Sequence, residues 1–413
     1  MKKKAFLVSF LVTISILHAG GFRVSLQGIR QAAMAHTSAH TRDASIAFFN
    51  PAGIAFIPSK LSVSAGAFAI FGKAEYQNVS TLYRAETDNP VSTPMAFNIA
   101  YKATDKLSVG FSLTTPYGSS VDWGRTWAGK DLVTSIELKS FFLQPTIAYR
   151  FNEWFSVGIG YIHAIGSVNL QKAITSVNGR MELEDKDASG NGFNVGMYFK
   201  PTKDLDISIA YRSKVDMNAV NGTAEFDIPS SLVGSSSFAT KNDRFSAQLP
   251  LASEFTLGVT YRVLPKWSVS ADWNAFGWER YEYLTFDFEQ NKVGNTPKDL
   301  TISSSPKDYK TSYAFRVGTE YMATDDLALR LGYYYDQSPV KDAYWNPETP
   351  STDNNAITGG VGYSFFSKKL MLDLTGIYYV GKPRKINNDF YNFYGEAKLH
   401  SFMLGFGLTW NPF

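Results

Sequence analysis

A strand, a tight polar turn and a second strand recur six times along this chain. The copies run from Phe97 to Leu113, Thr146 to Tyr161, Val195 to Tyr211, Thr256 to Trp273, Val317 to Tyr335 and Val361 to Tyr379. In each, apolar residues alternate with small or polar ones, the period-two signature of a strand with two unlike faces. The first strand of each copy ends on an aromatic: Tyr101, Tyr149, Phe199, Tyr261, Tyr321 and Tyr363. Rings at one height suit a membrane–water interface, because the ring body is apolar and its edge or hydroxyl is wet. The pattern predicts an all-β membrane protein, an antiparallel transmembrane β-barrel.

Composition supports that class. Of 413 residues 44% are hydrophobic, yet beyond the N-terminus no apolar run approaches the ~20 residues of a spanning helix. A barrel has this profile, since only alternate residues face lipid. Cysteine is absent, which excludes thiol catalysis, disulfides, Cys-ligated metals and a cysteine-borne lipid anchor. Residues 1–19 read as a secretory signal, with Lys2, Lys3 and Lys4 ahead of an apolar stretch from Ala5 to Leu17 and small residues at Ala19 and Gly20. Without those three lysines the 40 basic residues become 37, equal to the 37 acidic ones. A near-neutral mature chain argues against nucleic acid or a polybasic membrane patch as partner.

The six hairpins supply about twelve strands, and Leu61 to Phe71 and Leu399 to Trp410 flank them, giving about fourteen. An even number closes an up-and-down barrel with both termini on the periplasmic side. Short turns such as Thr104-Asp105 and Asn152-Glu153 alternate with long polar connections, which a soluble sandwich or propeller would not do so strictly. Leu107, Val109, Phe111 and Leu113 share a lipid-facing side, as do Leu205, Ile207, Ile209 and Tyr211, and Leu327, Leu329, Leu331 and Tyr333. The opposite side carries Asp206, Arg212, Glu254, Asp272, Arg316, Glu320, Arg330 and Asp373, so the lumen is polar with both signs of charge.

Residues 20–59 lie between the signal and the barrel of residues 60–413. They are rich in Ala, Gly, Ser and Thr, lack alternation, and end in apolar Ile46, Phe48, Phe49, Ile54 and Phe56. Such a segment is either a periplasmic tail or a plug in the lumen, and its small residues and apolar end favour the plug.

Gly21-Phe22, Asp43-Ala44-Ser45 and Asn50-Pro51-Ala52-Gly53 resemble the hatch of the FadL family, outer-membrane transporters of long-chain fatty acids and other hydrophobic compounds. The likeness continues through Pro116-Tyr117-Gly118, Trp127-Ala128-Gly129, the run from Gln144 to Tyr149, Leu249-Pro250, the run from Thr256 to Arg262 and Asp272-Trp273 to a C-terminal Phe413. The resemblance implies a fourteen-stranded barrel with an N-terminal hatch, monomeric, in the outer membrane of a Gram-negative cell, whose partners are hydrophobic small molecules and outer-membrane lipids or detergent-like molecules. It also implies capture of ligand between the third and fourth extracellular loops and a tighter site near the hatch N-terminus. Exit would then be sideways into the bilayer, where the third strand kinks beside the Asn-Pro-Ala motif. Lateral exit is physically sensible, since a fatty tail gains about 0.8 kcal/mol per CH₂ by staying out of water. The C-terminal strand is the expected contact of the barrel-assembly machinery, although Asn411-Pro412 shifts Phe413 out of the alternation of Phe402, Leu404, Phe406, Leu408 and Trp410.

Particular residues follow from this reading. Apolar residues inside loops that should be polar mark the capture groove: Ile174, Val177, Met181 and Leu183 in one loop, Phe226, Ile228, Leu232, Val233 and Phe238 in the other. Ile228, Leu232 and Val233 would share a face of a short helix after Pro229; packing of the loops on themselves is the competing reading. Arg23, Arg316 and Arg330 are candidates for a ligand carboxylate, with structural pairing to Glu320, Asp272 or Asp373 favoured for the two on the wall. For the gate, Gly110 on the inner face of the third strand permits a kink, so Asn50, Pro51 and Ala52 should contact Ser108 to Ser112 beside an opening. Alternatively, Gly110 avoids crowding in the lumen, like Gly158, Gly160 and Gly196.

Rival functions lack residues. His400 and Ser401 are adjacent on a strand and point to opposite faces, and His163 with Ser167 is no better placed for a phospholipase. A general diffusion porin or a loop-borne adhesin is the second rival; an open porin needs an unplugged lumen, which conductance in planar bilayers would reveal. Glu182, Glu184, Asp185 and Asp187 read as a solvated loop tip rather than a metal site, and no cofactor is expected.

Overall fold

The computed structural model describes residues 21–296 and 299–412; the expected signal segment and the terminal Phe413 lie outside them. The wall is built from β1 (Leu61–Gln77), β2 (Met95–Lys102), β3 (Leu107–Thr114), β4 (Ser135–Arg150), β5 (Phe155–Ile174), β6 (Gly179–Thr202) and β7 (Leu205–Arg212). It continues through β8 (Ser253–Leu264), β9 (Trp267–Gly277), β10 (Ser312–Met322), β11 (Leu327–Asp336), β12 (Asn354–Phe365), β13 (Leu370–Gly381) and β14 (Phe393–Trp410). Each strand pairs antiparallel with the next, and β14 returns to β1 from Val63 opposite Trp410 to Gln77 opposite Glu396. The fourteen-stranded barrel is closed, so its wall has no unpaired edge. The six recurring hairpins are β2–β3 through β12–β13, paired as the repeat implies.

Alternation sets which side each residue faces. Val109, Leu329, Leu331, Tyr333, Phe402, Leu404 and Phe406 are exposed on the outside, where the bilayer would meet them. Ser108, Ser112, Asp206, Ser208, Arg212, Asp272, Arg316, Glu320, Arg330 and Asp373 are buried inside.

The residues from Gly21 to Ser59 occupy the lumen, and from Leu26 to Ile57 every residue except Arg42 is buried. Their helices are short: α1 (Ile29–Ala33), α2 (Ile46–Phe49) and a 3₁₀ turn at Pro51–Phe56. Helices this short leave most backbone groups without a helical partner. The polar lumen supplies the partners instead. Thr358 Oγ1 donates to the Ala33 carbonyl (2.9 Å) and accepts from Ala35 N–H (3.0 Å), and Thr375 Oγ1 donates to Ile29 (2.8 Å). Gln144, Asn194 and Ser156 donate to the carbonyls of Ala47, Phe48 and Ala52 at 2.8–3.0 Å. Inward polar residues and a small-residue hatch are thus two halves of one hydrogen-bond set.

Above the bilayer the wall continues as a roof. The β5–β6 hairpin extends outward, and Val215–Asp227 of the β7–β8 connection pairs with β6 and with Asn242–Leu251. Phe245 opposite Phe288 then ties that connection to Tyr283–Phe288, between β9 and β10. The long polar loops expected from the sequence are therefore largely sheet, packed over one apolar cluster that reaches down to Phe22.

Candidate ligand-binding site

Gly21 takes φ +69°, a left-handed conformation in which a Cβ would sit 3.0 Å from the Trp278 ring. This turn places Phe22 in an aromatic cage, with ring centroids 4.9 Å from Trp278, 6.0 Å from Tyr117 and 6.3 Å from Tyr281. Above Phe22 is a cavity of about 80 Å³ whose walls include Ile136, Leu170, Met217, Phe245, Leu251 and Leu284. Its polar borders are few, chiefly Lys139, Ser140, Tyr281 and Glu348. Burial pushes the phenols of Tyr117 and Tyr281 up, and that of nearby Tyr309 up to about 12, so these rings meet a ligand uncharged.

A second, outer groove of about 380 Å³ lies between the β5–β6 tip and the loops beside it, with Asp131, Lys172, Ile174, Met181, Phe226 and Phe288 in its lining. Three of the apolar loop residues marked in the sequence, Ile174, Met181 and Phe226, line it. Leu183, Ile228 and Phe238 are buried in the cluster beneath, with Val177 and Leu232 packed against it. Val233 does not join them: the turn after Pro229 is a three-residue 3₁₀ segment, Ser230–Leu232, and Val233 continues in extended backbone with its side chain exposed. A turn this short never builds the helical face that would have gathered all three side chains.

The three candidate arginines are all engaged. Arg23 pairs with Asp336 and stacks over Phe276, 3.8 Å from the ring centre. Arg316 donates to Asn274 Oδ1 (2.9 Å) and the Ala35 carbonyl (3.2 Å), with Asp336 at 3.6 Å. Arg330 bridges Glu320 (2.8 Å) and Asp373. Asp272, opposite Arg316 in register, instead accepts from Ser38 N–H at 2.9 Å. Sequence reasoning missed Lys172 and the aromatic cage around Phe22.

The hatch turn and the third strand differ from expectation. Pairing is unbroken through Ser108–Ser112 on both sides of β3, from Ala96 opposite Thr114 to Lys102 opposite Ser108, and from Leu107 opposite Tyr149 to Thr114 opposite Phe142. Asn50 lies instead against β6 and β7, where Nδ2 donates to the Met197 carbonyl and Ser208 Oγ, both at 2.9 Å. Ala52 sits over Gly158 of β5, and it is Ile54 that approaches Gly110. The cause is room: a Cβ on Gly196 would lie 2.0 Å from Asn50 Oδ1 and one on Gly158 2.5 Å from the Ala52 nitrogen, so these two glycines admit the turn, and Ser208 supplies the amide with an acceptor there.

The wall does lapse at one nearby place. Between β4 and β5, Leu143 pairs with His163 and Thr146 with Gly160, but Gln144 and Pro145 pair with nothing on β5. Proline has no N–H, so the Tyr161 carbonyl loses its ladder donor while the register resumes unchanged. Gln144 at that lapse holds the hatch at Ala47.

A closed barrel with a filled lumen and an apolar cavity under an extracellular roof defines a membrane-spanning transport barrel. The chain belongs to the outer membrane protein transport family (OMPP1/FadL/TodX), whose model matches residues 10–409. It resembles the long-chain fatty acid transport protein of Salmonella typhi, 26% identical over 387 residues and 86% of each chain. The protein of that description in Escherichia coli K12 is 25% identical over 401 residues, again 86% of each. In fold it matches a Pseudomonas aeruginosa FadL homologue at TM-score 0.82 and 20% identity, over 95% of this chain and all (100%) of that one. It also matches the Pseudomonas putida toluene transporter TodX at 0.72 and 16% identity, over 96% and 99%. The barrel is accordingly an outer-membrane transporter of a Gram-negative cell.

Proposed function

We propose that this protein carries hydrophobic compounds, long-chain fatty acids or hydrocarbons, passively across the outer membrane. The observation that carries the reading is the apolar cavity enclosed between Phe22 of the hatch and the roof. Ligand enters at the outer groove, moves inward to the cavity beside Phe22, and leaves when the hatch shifts. The relatives' names support both ligand classes.

The lumen beneath the cavity is filled by the hatch, which favours a lateral exit over an axial one. The lapse at Pro145 is the best-supported place for it, because the hatch touches the wall there and the ladder is already one hydrogen bond short. Opening an intact stretch would break more such bonds in a medium with no water to replace them. Cross-linking tests the route. Cysteines at Leu143 and His163, an opposed pair about 5.5 Å apart at Cα if hydrogen-bonded, should block uptake of labelled fatty acid or toluene until reduced. Cysteines at Ile99 and Phe111, across β2 and β3, should not. The opposite pattern would return the gate to β3, and normal uptake with both bridges closed would end the lateral route. If cells making the unmodified protein in place of their own transporter gain no uptake, the transport reading itself fails.

A further inference from the structure

On β5 the inward residues beside the hatch are Ser156, Gly158 and Gly160; in the roof they become Ile162, Ala164, Val168, Leu170 and Ile174. Lys172 stands in that apolar register, directly opposite Met181 on β6. It is half-buried in the outer groove, with Ile174, Met181, Phe226, Phe288 and Val293 around it and Asp131, Thr175, Ser176 and Ser303 on the same lining. Among the described residues no carboxylate comes within 4.0 Å of its ammonium. The two acids that act on it from farther away, Glu348 and Asp131, are committed elsewhere. Glu348 takes Lys307 at 2.6 Å, and Asp131 accepts from Thr175 N–H (2.8 Å) and Oγ1 (2.7 Å).

A cation withdrawn from water against apolar walls is unfavourable unless something pairs with it. Arg23, Arg316 and Arg330 have their carboxylates within the protein; Lys172 has a groove. We propose that Lys172 anchors the carboxylate of a long-chain amphiphile whose tail lies along Ile174, Met181, Phe226 and Phe288. This rests on the uptake reading above and narrows it: the outer groove selects an anionic amphiphile over a neutral hydrocarbon. A charge-assisted hydrogen bond at the head and apolar contact along the tail are the two features such a ligand needs.

The test uses the purified full-length protein in lipid nanodiscs and compares hexadecanoate, its methyl ester and toluene by calorimetry. The acid should bind at least tenfold more tightly than the ester. K172M, which keeps the length and apolar stem of the side chain, should bring acid and ester within twofold by weakening the acid alone, and K172R should restore the preference. Heat-dependent gel mobility verifies that each variant is folded. Equal binding of acid and ester by the unmodified protein, or an unchanged preference in folded K172M, overturns the assignment. Tight binding of all three probes without preference leaves the uptake reading standing and removes Lys172 from it; binding of none removes both.

Discussion

Arg30 in the hatch grips Glu320 in the wall with a two-pronged hydrogen bond, Nε to Oε2 at 3.0 Å and Nη2 to Oε1 at 3.1 Å. Glu320 also takes Arg330 at 2.8 Å and the half-exposed Arg42 at 3.2 Å, so one carboxylate joins two hatch arginines to a wall arginine. Removing one member of a buried pair costs about 3–5 kcal/mol because the other charge stays buried. The Glu320→Gln variant should therefore lower the thermal midpoint markedly and raise conductance in planar bilayers as the hatch loosens. Arg42→Met should change stability by no more than about 1 kcal/mol, since a half-exposed pair is screened by solvent. Similar midpoints for the two variants would mean that Glu320 does not hold the hatch.

A missing side chain also fixes the hatch. A Cβ on Gly158 would lie 2.5 Å from the Ala52 nitrogen and the Pro51 carbonyl carbon, which are backbone atoms and cannot swing aside. Gly158→Ala should destabilise the folded barrel by about 1–3 kcal/mol, as overpacking does, and displace the Pro51–Phe56 turn. Gly376→Ala meets nothing within 4 Å and serves as the control, expected to be near neutral. Urea titration of both in the same detergent gives the comparison, and equal midpoints would count against a hatch seated on Gly158.

The barrel is legible in the sequence because strand alternation is local: Leu107, Val109 and Phe111 declare their face without reference to any other part of the chain. The hatch contacts are not local. Asn50 meets Ser208 across 158 positions, and nothing near Asn50 says which wall strand will supply its acceptors. The inward glycines Gly158 and Gly196 were the available signal, since each leaves room for the Asn50–Ala52 turn. Lys172 was hidden for a different reason. A single inward face is polar beside the hatch and apolar above it, so a lysine that the charged lumen would pair is out of place beside Leu170 and Ile174. Only the height of the roof, which the structure supplies, reveals the change. Pro145 was visible as a proline inside an alternating strand, where a ladder bond must fail.

Asn50 does two jobs that can be separated. Its Oδ1 caps the 3₁₀ turn by accepting from Ala52 N–H at 3.0 Å, while its Nδ2 donates to the Met197 carbonyl, the Ser208 hydroxyl and the Ile209 carbonyl at 2.9, 2.9 and 3.2 Å. Asn50→Asp keeps the cap but turns a donor into a carboxylate oxygen facing two carbonyls, in a site with no exposure to water. Asn50→Ala loses the cap, worth about 0.5–2 kcal/mol, and the three donor contacts, yet buries no new charge. The aspartate should therefore be the more damaging of the two, by about 1–3 kcal/mol for an uncompensated buried polar group, with the gap narrowing in acid as the carboxylate takes up a proton. Thermal midpoints of the two variants across pH 4 to 8 decide it: an aspartate variant as stable as the parent protein would show that the amide donor does not hold the hatch to β6 and β7.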